Sequence, residues 1–154
     1  MKASSNNISG FRLRRRPASL LSAPPAVATG TDLVWIPDVA ASVSRFGERY
    51  LNKVFLPREL SDSLGPKDKQ MASLAARFAA KESVMKLLPL RADTAFPWTA
   101  VEVTRAADGR PALKLHGVAR ELARQAGWRH FSVSLSHDHE YALASVVASR
   151  QPPF

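Results

Sequence analysis

Apolar and β-branched residues crowd the stretch from Val27 to Ile36, which stops before Pro37 and predicts a first strand interrupted at Gly30. Val39, Val43, Phe46 and Tyr50 then recur at spacings of four, three and four, the stripe of one helix. Arg45, Arg49 and Lys53 follow four-residue steps on another face and form a basic ridge. Pro57 opens a short helix reaching about Leu64, closed by Gly65-Pro66. A longer helix is expected from about Asp68 to Leu88, ending before Pro89, with Met71, Leu74, Ala75, Phe78 and Met85 as its buried stripe. Glu82 falls on that same stripe. A carboxylate facing the core is costly unless something compensates it, and Lys86 one turn on and a metal ion are the two candidates.

The pattern then changes period. Val101 to Thr104 alternates as a strand, Asp108-Gly109-Arg110-Pro111 signals a turn, and Ala112 to Leu115 reads as the returning strand. His116 to Ala126 fits a helix ended by Gly127. Phe131, Val133 and Leu135 alternate with serines, and Tyr141 to Ala148 is mostly apolar, so two closing strands are expected with His137 to Glu140 as a polar connection. The order β-α-α-β-β-α-β-β predicts an α+β fold, an antiparallel sheet packed with a long helix, with no internal repeat.

Composition narrows the function classes. The chain has 154 residues, enough for one domain, and 45% hydrophobic residues. No apolar run approaches the roughly 20 residues that cross a bilayer, so no membrane partner is expected. The absence of cysteine excludes disulfides, thiolate metal sites and cysteine nucleophiles, and is compatible with the cytoplasmic location expected here. Net charge is +9, from 22 basic and 13 acidic residues. Lys2, Arg12, Arg14, Arg15 and Arg16 supply five of these charges within a start that holds no acid. Residues 1–28 are therefore read as a basic, disordered and dispensable extension, and residues 29–150 as the domain. The moderate charge of that domain suggests an acidic partner or a phosphate-bearing substrate. A nucleic-acid-binding module is the rival that the basic start motivates, but the chain carries no recognised binding motif or basic-aromatic stacking pattern.

Three segments taken together resemble the holo-acyl-carrier-protein synthase group of phosphopantetheinyl transferases: Gly30-Thr31-Asp32-Leu33-Val34, Arg77-Phe78-Ala79-Ala80-Lys81-Glu82 and Ser134-Leu135-Ser136-His137. Arg45 to Tyr50 and Gly109-Arg110-Pro111 also fit that group's pattern, and the resemblance spans residues 27–148. It implies transfer of the 4′-phosphopantetheine arm of coenzyme A to a serine of an acidic acyl carrier protein, as in fatty acid synthesis, with release of 3′,5′-ADP. Asp32 and Glu82 would hold Mg²⁺, which takes oxygen ligands and keeps several waters, so that two carboxylates suffice. The serine would lose its proton to Glu82 or to a metal-bound water. Lys86 would assist the leaving nucleotide. Arg77, Lys81, Gly109, Arg110, Pro111, Ser136 and His137 would touch coenzyme A, and Arg45, Arg49 and Lys53 would dock the carrier. The resemblance also implies a homotrimer with sites between subunits.

Two departures stand out. Trp35 occupies a position where the family usually has an acid, and Asp38 one where it often has a base. They leave open a relative that binds coenzyme A or carrier without transfer, and they bear on carrier identity more than on the reaction.

Overall fold

A computed structural model describes residues 26–150 apart from 92 and 94, so most of the expected N-terminal extension lies outside the described residues. The elements run β1 (Val27–Trp35), α1 (Ile36–Phe46), α2 (Glu48–Val54), α3 (Pro57–Asp62), α4 (Lys67–Met85), a single 3-10 turn (Trp98–Ala100), β2 (Val101–Arg105), β3 (Pro111–Leu115), α5 (Gly117–Gln125), β4 (His130–Asp138) and β5 (Tyr141–Ser149). The expected α+β class holds, with its antiparallel strands divided between two sheets. One has the order β1-β5-β4 and the other pairs β2 with β3.

The first strand joins the last one along its whole length, from Val27↔Ser149 to Trp35↔Tyr141. Gly30 does not interrupt it. That residue pairs with Val146 and is instead the point where α4 crosses the sheet. A Cβ placed on Gly30 would lie 2.1 Å from the carbonyl oxygen of Ser83, so only hydrogen fits between the two backbones. Ser83 seals the crossing by donating its hydroxyl to the carbonyls of Ala79 (2.8 Å) and Ala144 (3.2 Å). Ala142, Ala144, Val146 and Ala148 of β5 meet the helix as a fully buried row. Gly30→Ala is expected to cost about 2–3 kcal/mol by overpacking, read as a lower urea midpoint with unchanged slope.

The face of the three-stranded sheet turned away from α4 is uncovered, with large apolar side chains on β1 and β5 set among Thr29, Thr31, Ser145 and the serines of β4. Leu33 (59% exposed), Trp35 (44%) and Tyr141 (50%) line it, with Val27, Leu143 and Val147. The group Leu33, Trp35, Tyr141 and Leu143, at one end of that face, is exposed apolar surface of the kind found at interaction surfaces.

Three expectations about elements change. The single helix through Val39 and Tyr50 is two helices, broken at Gly47, whose φ of 54° is a left-handed conformation that glycine adopts without penalty. The connection between the closing strands is shorter than predicted, because β4 continues to Asp138 and only His139 and Glu140 turn the chain. His137 thus belongs to a strand. Finally, α4 is buried around most of its circumference: Ala72, Ala76, Ala79, Ala80 and even Arg77 and Lys81 are covered, while Phe78, Glu82 and Met85 are half-exposed. A helix built from alanine and serine packs on two sides, which blurs a one-stripe reading.

Candidate active site

The contact of Gly30 with Ser83 brings two acids together. Asp32 lies two residues beyond Gly30 on the same face of β1, the face that carries Ala144 opposite it. Glu82 immediately precedes Ser83 on α4. Both line one cavity of about 360 Å³, together with Val34, Trp35, Tyr50 and Phe78. Burial first, and then the charge of Asp32, push the Glu82 carboxyl above the usual carboxylate range, with Lys86 opposing. Lys86 pairs with the other acid. Its ammonium donates to Asp32 Oδ1 at 2.8 Å and to the Thr31 carbonyl at 2.6 Å, so the ion pair with Glu82 expected from their four-residue spacing gives way to one with Asp32. Among the described residues no group of three or more potential ligands is assembled. A pair of carboxylates that resist sharing one pocket, on hard oxygen donors, fits a divalent cation that retains waters.

A second cavity, of about 240 Å³, gathers Arg77, Gly109, Pro111, Ser136 and His137, all expected to share a ligand. It also contains Ser73, Thr104 and Arg105, which sequence reasoning did not single out. Arg77 is only 6% exposed and donates through Nη1 to Ser73 Oγ (2.5 Å) and the Ser73 carbonyl (3.3 Å), while its buried Nε has no partner. Burial lowers its pKa against the pull of Glu59 and Asp62, and Arg105 lowers it further, as one cation facing another does. No acid lines this cavity. Two guanidiniums and a histidine around a polar hollow are suited to phosphate. Arg110 stands beside it in a neighbouring cavity and folds back on Asp108, with Nη2 at 2.6 Å from Oδ2.

The two cavities have no lining residue in common. Asp32 on β1 and Leu135 on β4 both pair with Ala144 of the central strand. Two strand spacings, about 10 Å, therefore separate the acids' edge of the sheet from the edge holding Ser136 and His137.

The chain matches the model of the 4'-phosphopantetheinyl transferase superfamily over residues 28–146, a span that includes both cavities. It belongs to that superfamily. The holo-[acyl-carrier-protein] synthase of Dehalococcoides mccartyi (strain CBDB1) is 46% identical over 120 residues, 78% of this chain and 96% of that protein. The synthase of Koribacter versatilis is 38% identical over 79% of this chain and 96% of that protein. Among solved structures, the Chronobacterium ammoniagenes ACPS-CoA complex superposes with a TM-score of 0.69 at 30% identity, covering 83% of this chain and all of that one. The Helicobacter pylori holo-[acyl-carrier-protein] synthase in complex with coenzyme A gives 0.67 at 28% identity, covering 79% of this chain.

Within this transferase fold, Lys81 stands apart from the ligand role expected for it. Its side chain is fully buried and lines neither cavity. The ammonium donates to Glu59 Oε2 (2.8 Å), to the Trp98 carbonyl (3.2 Å) and to the Val101 carbonyl. Glu59, also 0% exposed, accepts in addition from the backbone N–H of Leu56 (2.8 Å) and Val103 (3.0 Å). Burial pulls the Lys81 pKa down while Glu59 pushes back. This knot ties α3, α4 and β2 together. Its sequence signal was available: Glu59 stands at the third position of a helix that begins with Pro57, where a glutamate reaches back to the N-cap amide.

The basic ridge is divided by the break at Gly47. Arg45 ends α1 and stacks over the Phe46 ring at 5.0 Å, whereas Arg49 and Lys53 share a face of α2. All three are exposed. Trp35 lies at the rim of the acids' cavity, its indole N–H donating to Glu140 Oε2 at 3.4 Å.

Proposed function

We propose that this chain transfers 4′-phosphopantetheine from coenzyme A to a serine of an apo-acyl carrier protein, releasing 3′,5′-ADP. The observation that carries this reading is the convergence of Asp32 and Glu82 in one cavity, with Lys86 fixed beside Asp32. Asp32 and Glu82 would hold Mg²⁺, which supplies neutralisation of the pyrophosphate when bound. Glu82, beside Asp32 in the cavity, takes the proton of the carrier serine. The serine oxygen forms a bond to the phosphorus nearest the pantetheine arm, the pyrophosphate P–O bond breaks, and the electron pair leaves with 3′,5′-ADP. Lys86, half-exposed at the rim, steadies that departing charge. Arg77, Arg105 and His137 form the cationic hollow suited to the nucleotide phosphates.

Because the acids and the cationic hollow open on opposite edges of the sheet, one copy does not present a continuous site. The exposed apolar group on the sheet face is suited to self-association, so we assign a homotrimer in which neighbouring copies complete each site. Arg45, Arg49 and Lys53 give the helices beside the acids a positive surface for an acidic carrier. A cytoplasmic location accompanies this reading. Incubating the purified protein with coenzyme A, magnesium and apo-carrier should add the mass of phosphopantetheine to the carrier, read by mass spectrometry. Failure with several carriers would overturn the transfer. Light scattering that returns a monomer would overturn the shared site.

A further inference from the structure

Arg77 is a cation set deep in the fold, and its long side chain needs something to fix where the guanidinium points. Its hydrogen-bond partner among the described residues is Ser73, one turn earlier on the same face of α4. Nη1 donates to the Ser73 hydroxyl at 2.5 Å and to the Ser73 carbonyl at 3.3 Å. The hydroxyl hydrogen is itself engaged. Ser73 donates to Ser63 Oγ at 3.1 Å, and Ser63 donates to the Glu59 carbonyl at 2.8 Å. Every donor in this chain points the same way, from the guanidinium to a backbone carbonyl of α3, and such a chain polarises each member in turn.

Ser73 also lines the cationic hollow, so the end of Arg77 bonded to it lies at that wall. Nε is buried without a partner, which leaves Nη2 for an occupant. Other charges pull the guanidinium elsewhere. Glu59 and Asp62 attract it without being hydrogen-bonded to it, and Arg105, which lines the same hollow, repels it. One carboxylate oxygen of Asp62, Oδ2, is buried with no partner of its own.

We propose that Ser73 is a positioning residue: by holding Nη1 it keeps the Arg77 guanidinium at the wall of the hollow, turned to a phosphate and away from the two acids. Without the hydroxyl, the side chain is free to turn toward Glu59 and Asp62, and the ligand must draw it back. The inference rests on the transferase reading, which supplies the ligand in the nucleotide phosphates of coenzyme A.

Isothermal titration calorimetry with 3′,5′-ADP tests it on wild type, Ser73→Ala, Ser73→Thr, Arg77→Gln and the double variant Ser73→Ala/Arg77→Gln. Alanine suits a helix interior better than serine, so Ser73→Ala should stay folded with its unfolding midpoint close to wild type. It should bind 3′,5′-ADP about ten-fold more weakly, whereas Ser73→Thr, which keeps the hydroxyl, should bind as wild type does. Arg77→Gln should bind more weakly still. Adding Ser73→Ala to it should cost nothing further, because the serine acts only through the guanidinium. In the transfer assay Ser73→Ala should raise KM for coenzyme A by the same factor with kcat held. Unchanged affinity in Ser73→Ala, a loss that threonine does not restore, or a loss that persists beside Arg77→Gln overturns the role of Ser73. Wild-type protein that binds neither 3′,5′-ADP nor coenzyme A overturns the transferase reading, and this inference with it.

Discussion

Glu82→Gln will lower turnover by a factor of about 10²–10⁴ from loss of the base alone, while the protein remains folded. Glutamine preserves shape but neither accepts the serine proton nor offers a charged ligand. The same substitution has a signature in stability. The carboxyl of Glu82 binds its proton more tightly in the folded chain than an ordinary glutamate does, chiefly through burial and then through Asp32. A raised folded pKa means that the folded state is favoured at low pH and loses that advantage as pH rises through the folded value. At neutral pH and without metal, Glu82→Gln should therefore melt at or above the wild-type temperature, and the difference should vanish as pH falls below the ordinary glutamate range. A variant that turns over near the wild-type rate removes Glu82 from the chemistry, and one that melts well below wild type shows that the carboxylate stabilises the fold.

The largest stability loss is expected at Lys81. Lys81→Met leaves Glu59 as a buried charge without its counter-ion, and loss of one member of such a pair costs about 3–5 kcal/mol. Adding Glu59→Gln should recover part of that loss, because the amide carries no charge and its single oxygen still accepts from one of the two backbone N–H groups, Leu56 or Val103, that the two carboxylate oxygens accept from now. Recovery stays incomplete, since the Trp98 and Val101 carbonyls have lost their donor. Urea unfolding of the two single variants and the double variant measures the coupling. Additive losses would show that the two groups do not act as a pair.

The reading of Lys81 shows where sequence pattern runs out. A lysine one position before a suspected catalytic glutamate looks solvated, because charged side chains usually are. Its burial depends on Glu59, more than 20 positions away in the chain, and on carbonyls presented by the turn at Trp98, none of which periodicity connects to it. Gly47 failed for a related reason: Val43, Phe46 and Tyr50 keep helical spacing across it, so the stripe continues in the sequence while the helix does not. What the pattern did convey was strong. Glu82 was marked by its place on a long helix, whereas Asp32 alone reads as a turn or capping aspartate and was assigned through the family resemblance, as was the set Arg77, Gly109 and His137, whose segments no local rule associates and which line one hollow. The partner of Lys86 was misjudged because four-residue spacing suggests a neighbour on the helix, whereas the strand packed beneath offers a nearer carboxylate.

The touch of β1 on α4 has a further consequence for how this protein could change its substrates. Where Gly30 passes Ser83 the two main chains have no slack, so the floor beneath the acids is rigid. The opposite wall is built from two short helices meeting at a left-handed glycine, and it alone can be remoulded without parting the acids. Selection for a different acceptor would therefore leave its marks on α1 and α2, and directed libraries aimed at new carriers belong there.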